Sequence, residues 1–274
     1  MTLLALIFGA TLAAAAPREL RVCADPNNLP FSNRSGGGFE NRIAKLVAQD
    51  LGATLRYTWW PQRRGFVRRT LNARECDVVI GVPAGYDLVR TTRPYYRSSY
   101  AAVTRRRDHL NIGSLDDPRL RRLRIGVHVI GSHYQNAPPA HALAARRIVE
   151  NVRGYSIYGS YDRESPPSDL VSAVARGEVD VAIAWGPLAS WAARRSPVPL
   201  TVRTLAESSD SVSLPLSYDI AMGVRKSDGA LARELDALLV RRASDIRAIL
   251  LASGVPLAPP PRSQRGSGQL REGS

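Results

Sequence analysis

The sequence states one local pattern twice, and that repeat limits the fold more than any single residue does. Leu20–Ala24, Thr54–Trp59 and Asp77–Val82 read as strands, rich in residues that suit a pleated sheet. Phe39, Ile43, Leu46, Val47 and Leu51 recur at helical spacing with Gly52 behind them, and a second helix is expected over Gln62–Leu71. Further on come a strand over Leu123–Val129, a helix over His141–Glu150, a strand over Val152–Tyr158, a helix over Leu170–Arg176 and a strand over Val179–Ala184. Each β-α-β-α-β unit requires a parallel sheet with right-handed crossovers. The fold class expected is therefore α/β, with two doubly wound, mostly parallel sheets and a cleft between them.

Tyr100–Arg105 and Tyr218–Arg225 are the extended segments that could cross between the lobes. Helices over Gly229–Ala243 and Ser244–Ser253 would then return to the first. This places lobe one at residues 17–104 and 219–257 and lobe two at 105–218. From Ala258 to Ser274, Pro, Gly, Ser and Arg dominate, as in a disordered tail. Residues 1–16, apolar and then small up to Ala16-Pro17, read as a secretory signal peptide, which implies export. The basic residues that usually open such a peptide are absent, which leaves the true start codon open. No second apolar run is long enough to span a membrane.

Trp185-Gly186-Pro187 follows the last strand of the second unit. Open α/β sheets hold their ligands at the carboxyl ends of strands, so this stretch is expected to wall the cleft. Cys23 and Cys76 are the only cysteines, both at or beside predicted strands. In an oxidising compartment they could pair if those strands are neighbours; two buried free thiols are the alternative. The formal charge of +14 is almost all arginine, with Lys45 and Lys226 the only lysines. Such charge suits nucleic acid, an anionic membrane or an acidic protein. For an exported chain without a zinc-finger, RRM or KH pattern, an acidic protein partner or plain solubility ranks above nucleic acid.

The residues resemble a known family. Gly38-Phe39-Glu40 opening the first helix, Cys76-Asp77-Val78-Val79-Ile80 and Arg93-Pro94-Tyr95-Tyr96, on two lobes with two crossings, look like a periplasmic solute-binding protein of the type 2 fold. Four longer runs are similar to the MoxJ/XoxJ group, the solute-binding-like proteins associated with quinoprotein methanol dehydrogenases. They are Val22–Asn33, Trp59–Phe66, Gly81–Asp87 and Tyr155–Gly159. The resemblance covers Leu20 to Leu257. It implies a periplasmic role beside a PQQ-dependent alcohol dehydrogenase and its cytochrome c, without deciding between solute transport and assembly or activation of the enzyme.

Amino-acid-binding relatives hold the ligand's carboxylate with an arginine after the third strand and its ammonium with an aspartate after the lobe-two strand Val179–Ala184. This chain has Ala84-Gly85-Tyr86-Asp87 and Trp185-Gly186 at those places. An indole offers an ammonium only a cation–π face, so a zwitterionic amino acid fits poorly. The cleft is expected to present Asp25, Asn27, Asn28, Trp60, Gln62, Tyr86, Asp87 and Trp185, a set suited to an apolar or planar group or a protruding protein segment. For Trp60 and Trp185 the alternative is core packing. For Asp25, Asn27 and Asn28 it is turn and capping chemistry.

Arg63, Arg64, Arg68 and Arg69, with Arg74 nearby, form either a solvated helix face or a docking patch for an acidic partner. His128, His133 and His141 flank the loop Gly131–Pro139, but their spacing does not promise a metal site. That loop better suits backbone donors for an anion. Neither a Gly-x-Ser-x-Gly elbow nor a Cys-His constellation is present, and no cofactor motif is complete. The chain reads as a non-enzyme: an accessory protein of the dehydrogenase system or, alternatively, the substrate-binding component of an ABC importer for a small non-amino-acid solute.

Overall fold

In a computed structural model, which describes residues 18–130, 136–157, 165–207 and 215–259, the first sheet is laid down by three parallel strands. β1 (Glu19–Ala24) runs between its two partners. A short turn carries the bridges β2 (Asn27–Asn28) and β3 (Ser32–Asn33) into helix α1 (Phe39–Asp50), which leads to β4 (Thr54–Trp59). The single helical turn α2 (Phe66–Arg69) leads to β5 (Val78–Pro83) and the bridge β6 (Arg90–Thr91). β1 pairs in parallel with β4 on one side and β5 on the other. Alternation along β1 sends Leu20, Val22 and Ala24 to the face covered by α1, while Cys23 joins Phe66, Val67, Leu71, Cys76 and Val79 on the opposite side.

β7 (Tyr96–Arg105) leaves this sheet and enters the second. There β8 (Ile125–Val129), helix α3 (Pro138–Ala145), β9 (Val152–Ser156), helix α4 (Asp169–Ala175) and β10 (Val181–Trp185) repeat the first arrangement. β8 is central and parallel to both β9 and β10. Helix α5 (Gly186–Arg195) and β11 (Leu200–Thr204) follow. β12 (Ser217–Val224) then crosses back to pair with β5, and α6 (Gly229–Arg241) and α7 (Ala243–Ala252) close lobe one. Their Leu235, Leu238, Leu239, Ile246 and Leu250 pack into the same core as Phe39, Ile43 and Val47 of α1.

The two-lobed α/β class is as the sequence predicts, with an addition at the crossings. β7 is antiparallel to β10 and β11, β12 is antiparallel to β5, and β12 and β7 pair with each other from Ser217 opposite Ser99 to Ile220 opposite Tyr96. The crossing strands thus fuse two parallel cores into one continuous ladder. A carboxyl-terminal strap, Ser253–Ala258, lies on this junction. Ser98 Oγ donates to the Pro256 carbonyl at 2.7 Å, and the Ala258 N–H donates to the Arg97 carbonyl at 2.9 Å. Arg42 of α1 donates to Ser253 Oγ at 3.0 Å, and Arg194 of α5 donates to the Ser253 carbonyl, so the strap is held from both lobes.

Several elements differ from their sequence reading. The helix expected over Gln62–Leu71 is only one turn, because Gly65 at φ +90° starts it late and Thr70 ends it. α3 starts at Pro138, not His141: a proline at the first helical position is preorganised for the helix, and Arg147 at φ +56° turns the chain soon after its end. α5 and β11 are elements beyond those read from the sequence, and Gly186-Pro187, directly after β10, opens a helix. Cys23 and Cys76 form a disulfide with Cα atoms 5.5 Å apart, made possible by the pairing of Cys23 opposite Val79. The expected signal peptide and the tail beyond Pro259 lie outside the described residues. Among those described, no helix is long and apolar enough to cross a membrane.

Candidate functional site

A cavity of about 510 Å³ opens between the two sheets at the carboxyl ends of β1, β5, β8 and β10. From lobe one it is lined by Asp25, Asn27, Asn28, Phe31, Glu40, Gln62 and the strand end Gly81–Pro83. The crossing strands contribute Tyr96, Tyr100, Tyr218 and Ile220, and lobe two His128, Ile130, Ala137, Pro138, Ile157, Pro166, Pro167, Trp185 and Leu188.

Asp25 builds the lobe-one rim. It is 6% exposed, and its two carboxylate oxygens accept the backbone N–H groups of Asn27 at 2.8 Å and Gln62 at 2.6 Å. Asn28 Nδ2 donates to Gln62 Oε1 at 3.1 Å, tying the first and second loops together. The turn chemistry allowed for Asp25 in the sequence is therefore present, and it fixes the wall of the cavity.

Trp185 ends β10 and stands at the N-cap of α5. Its ring meets Tyr100 edge-on at 5.3 Å between centroids and Tyr218 at 6.0 Å, so three aromatic side chains from three strands form one wall. Gly186 behind it permits this approach, since a Cβ there would collide with the Ser99 carbonyl oxygen of β7 and with Pro256 of the strap.

Glu40 sits in the first turn of α1 with its carboxyl turned beneath β5. A Cβ at Gly81 would collide with Glu40 Oε1, so the glycine makes room for it. The side chain is half-buried and lines the cavity. Burial, followed by the nearby Asp25 carboxylate, pushes its pKa up to about 8. Neither carboxylate oxygen has a hydrogen bond or ion pair among the described residues. His128 is 3% exposed, and its Nε2 lies 2.9 Å from the Pro167 carbonyl oxygen, to which that nitrogen donates in the matching tautomer. Burial lowers its pKa against the effect of that hydrogen bond.

Of the residues expected at the cleft, Asp25, Asn27, Asn28, Gln62 and Trp185 line this cavity, whereas Trp60, Tyr86 and Asp87 do not. The Trp60 N–H is bound to the Ala24 carbonyl, and the Pro61 turn then brings Gln62 inward, leaving Trp60 38% exposed. A turn from Pro83 to Tyr86, with Gly85 at φ +75°, carries Tyr86 and Asp87 to the outer surface. Glu40, Tyr96, Tyr100, His128 and Tyr218 were not singled out from the sequence as lining residues. Arg63, Arg64, Arg68 and Arg69 are all exposed around α2, beginning directly after Gln62 at the rim. His141 is exposed, and His133 lies outside the described residues. Among those described, no group of three or more His, Cys, Asp or Glu side chains could hold a metal.

Two parallel-cored lobes, two crossing strands and a cleft at the strand ends define the type 2 periplasmic-binding-protein class. No family model matches the chain. It is 36% identical to protein MoxJ of Methylorubrum extorquens over 88% of this chain and 82% of that protein. It is 33% identical to protein MoxJ of Paracoccus denitrificans over 91% and 95%. The crystal structure of the periplasmic binding protein XoxJ from Methylobacterium extorquens superposes with a TM-score of 0.73 at 38% identity, covering 88% of this chain and all of that one. The chain belongs to the MoxJ/XoxJ family of periplasmic-binding-type proteins. An ancestral cationic amino acid solute-binding protein, at 17% identity and a TM-score of 0.64, shares the fold alone.

Proposed function

We propose that this chain is a non-enzymatic periplasmic accessory protein of a PQQ-dependent methanol or alcohol dehydrogenase system, where it contacts the quinoprotein or its cytochrome c and aids assembly or activation. One observation carries the reading: the cleft is kept, yet neither anchor for an amino acid is in it. Trp185 stands where an aspartate would take the ammonium, and no arginine or lysine is among the described lining residues. The cavity retains aromatic walls suited to an inserted side chain. The exposed Arg63, Arg64, Arg68 and Arg69 beside its rim favour an acidic partner surface. Family membership supports the same system, since the MoxJ/XoxJ resemblance implies it.

The test is capture from periplasmic extract with the mature protein tagged at its amino terminus, at low and then moderate salt, with mass spectrometry of the eluate. Recovery of a quinoprotein dehydrogenase or cytochrome c, reduced as salt rises, is the expected result. Unchanged recovery across salt overturns the arginine patch. Loss of both proteins together with a co-purifying small molecule overturns the accessory role in favour of the importer component.

A further inference from the structure

Glu40 contrasts with the carboxylates that arginine holds. Asp50, Asp77, Asp180 and Glu234 each lie within 2.7 Å of an arginine nitrogen, as expected in a chain with 38 lysines and arginines. Glu40 has no such partner among the described residues, although it is half-buried at the cavity wall. A desolvated carboxylate without a counter-ion is costly, and Gly81 is shaped to keep it there. Facing the same space are the rings of Trp185, Tyr100 and Tyr218, whose π-faces attract cations.

We propose that the cleft binds an organic cation without a carboxylate of its own, an alkylammonium or guanidinium group, with Glu40 as its counter-ion and the Trp185, Tyr100 and Tyr218 rings as its wall. This rests on the accessory reading only for where the cation comes from. A guanidinium or ammonium on a partner's side chain and one on a free solute share the recognising chemistry. An amino acid is refused because its carboxylate would meet Asp25 and Glu40 with no arginine to offset them.

Binding requires the ionised form of Glu40, so complex formation near neutral pH releases a proton. The groups that face Glu40 are Asp25 from the loop after β1, Tyr57 from β4, Tyr95 just before β7 and Tyr96 at its start. All three tyrosines are raised above their ordinary value of 10.0, chiefly by burial, and stay neutral in this range. His128, across the cavity, is lowered by burial.

Calorimetric titration of the mature protein with n-butylguanidinium, against the neutral isostere N-butylurea and the zwitterion L-arginine, tests this. The expected result is saturable n-butylguanidinium binding at least tenfold tighter than either comparison, with proton release detected in two buffers of different ionisation enthalpy. Glu40→Gln weakens it at least tenfold, and Trp185→Leu weakens it with the pH dependence kept. Equal binding of N-butylurea overturns the proposal, as does unchanged affinity in a Glu40→Gln protein that melts cooperatively. If Glu40→Gln does not fold, the comparison on the native chain still decides. A blocked peptide, acetyl-Gly-Arg-Gly-amide, that outcompetes n-butylguanidinium supports the proposal and assigns the cation to a protein side chain; the reverse order supports it with a free solute. Failed cation binding with dehydrogenase capture retained overturns this proposal alone, and the opposite pattern overturns the accessory reading alone.

Discussion

The Ser165 hydroxyl of lobe two donates to the Leu29 carbonyl of lobe one at 2.8 Å, while the Leu29 side chain, 5% exposed, is buried in the lobe-two core beside Leu170, Val171 and Leu188. A residue from the first loop of one lobe thus latches into the apolar interior of the other, and the cleft is closed along that side.

Shortening the latch should open it. Leu29→Ala removes a buried side chain worth about 2–4 kcal/mol, whereas Ser165→Ala loses one hydrogen bond worth about 1 kcal/mol. The expected outcome is a larger radius of gyration by small-angle X-ray scattering for Leu29→Ala and little change for Ser165→Ala. Equal radii for Leu29→Ala and the native chain would show that the lobes are held by other contacts.

Glu40 sets a pH dependence of stability. Its pKa rises from 4.5 unfolded to about 8 folded, so the native state binds the proton more tightly. Its contribution is complete below pH 4.5 and declines as pH rises toward 8, by at most about 1.4 kcal/mol per pH unit. Thermal unfolding at pH 5, 6, 7 and 8 should show Tm falling more steeply in the native chain than in Glu40→Gln. Parallel profiles would refute this.

Asp180 acts in the opposite sense. The Arg124 guanidinium, then the Arg124 N–H and Arg105, outweigh burial and hold its carboxyl well below the ordinary range. Arg105, whose side chain is 8% exposed, also pairs with Asp108 at 2.7 Å and donates to the Val174 and Val179 carbonyls. Asp180→Ala therefore costs about 2 kcal/mol, roughly 4–8 °C in Tm, because part of this network survives. The deficit is full above about pH 4 and shrinks as pH falls below that, because the unfolded chain takes up the proton before native Asp180 does. A deficit undiminished between about pH 5 and pH 2 would locate its cause in packing instead.

The Cys23–Cys76 bridge closes a segment of 53 residues. Chain-entropy arguments give about 4 kcal/mol for a loop of that length, and measured values run at about 2–4. The paired Cys23→Ser, Cys76→Ser variant should melt lower than the native protein, by an amount that dithiothreitol reproduces in the native protein only. An unchanged midpoint in urea would remove the bridge from the stability account.

The parallel cores were legible because their strands and α1 repeat apolar residues at clear periods; the sequence left the Cys23–Cys76 bridge conditional on neighbouring strands, and the β1–β5 pairing supplies that neighbourhood. The site was only partly legible. Trp185 sits at a strand end, where topology directs it to the cleft, whereas Gln62 lies beyond the end of β4 and reaches it through the Pro61 turn. Glu40 reads in sequence as an ordinary acidic residue in a helix's first turn, and its role depends on Gly81, forty-one positions away, lacking a side chain. Tyr100 and Tyr218 lie on the crossing strands; the β10–β7 pairing sets Tyr100 opposite Trp185, and the β12–β7 pairing brings Tyr218 beside them. Trp60 and Tyr86 show the converse, aromatic residues near strand ends that a following turn carries outward.

The strap from Ser253 to Ala258 gives the end of the described chain an unusual position. It is anchored on β7 where the two sheets meet and gripped by Arg42 and Arg194 from opposite lobes. A fluorophore or affinity tag attached past Pro259 therefore enters the protein at the seam between the sheets. As a reporter it would respond to the seam and not to the lobe tips; as a handle it would pull on contacts that both lobes share.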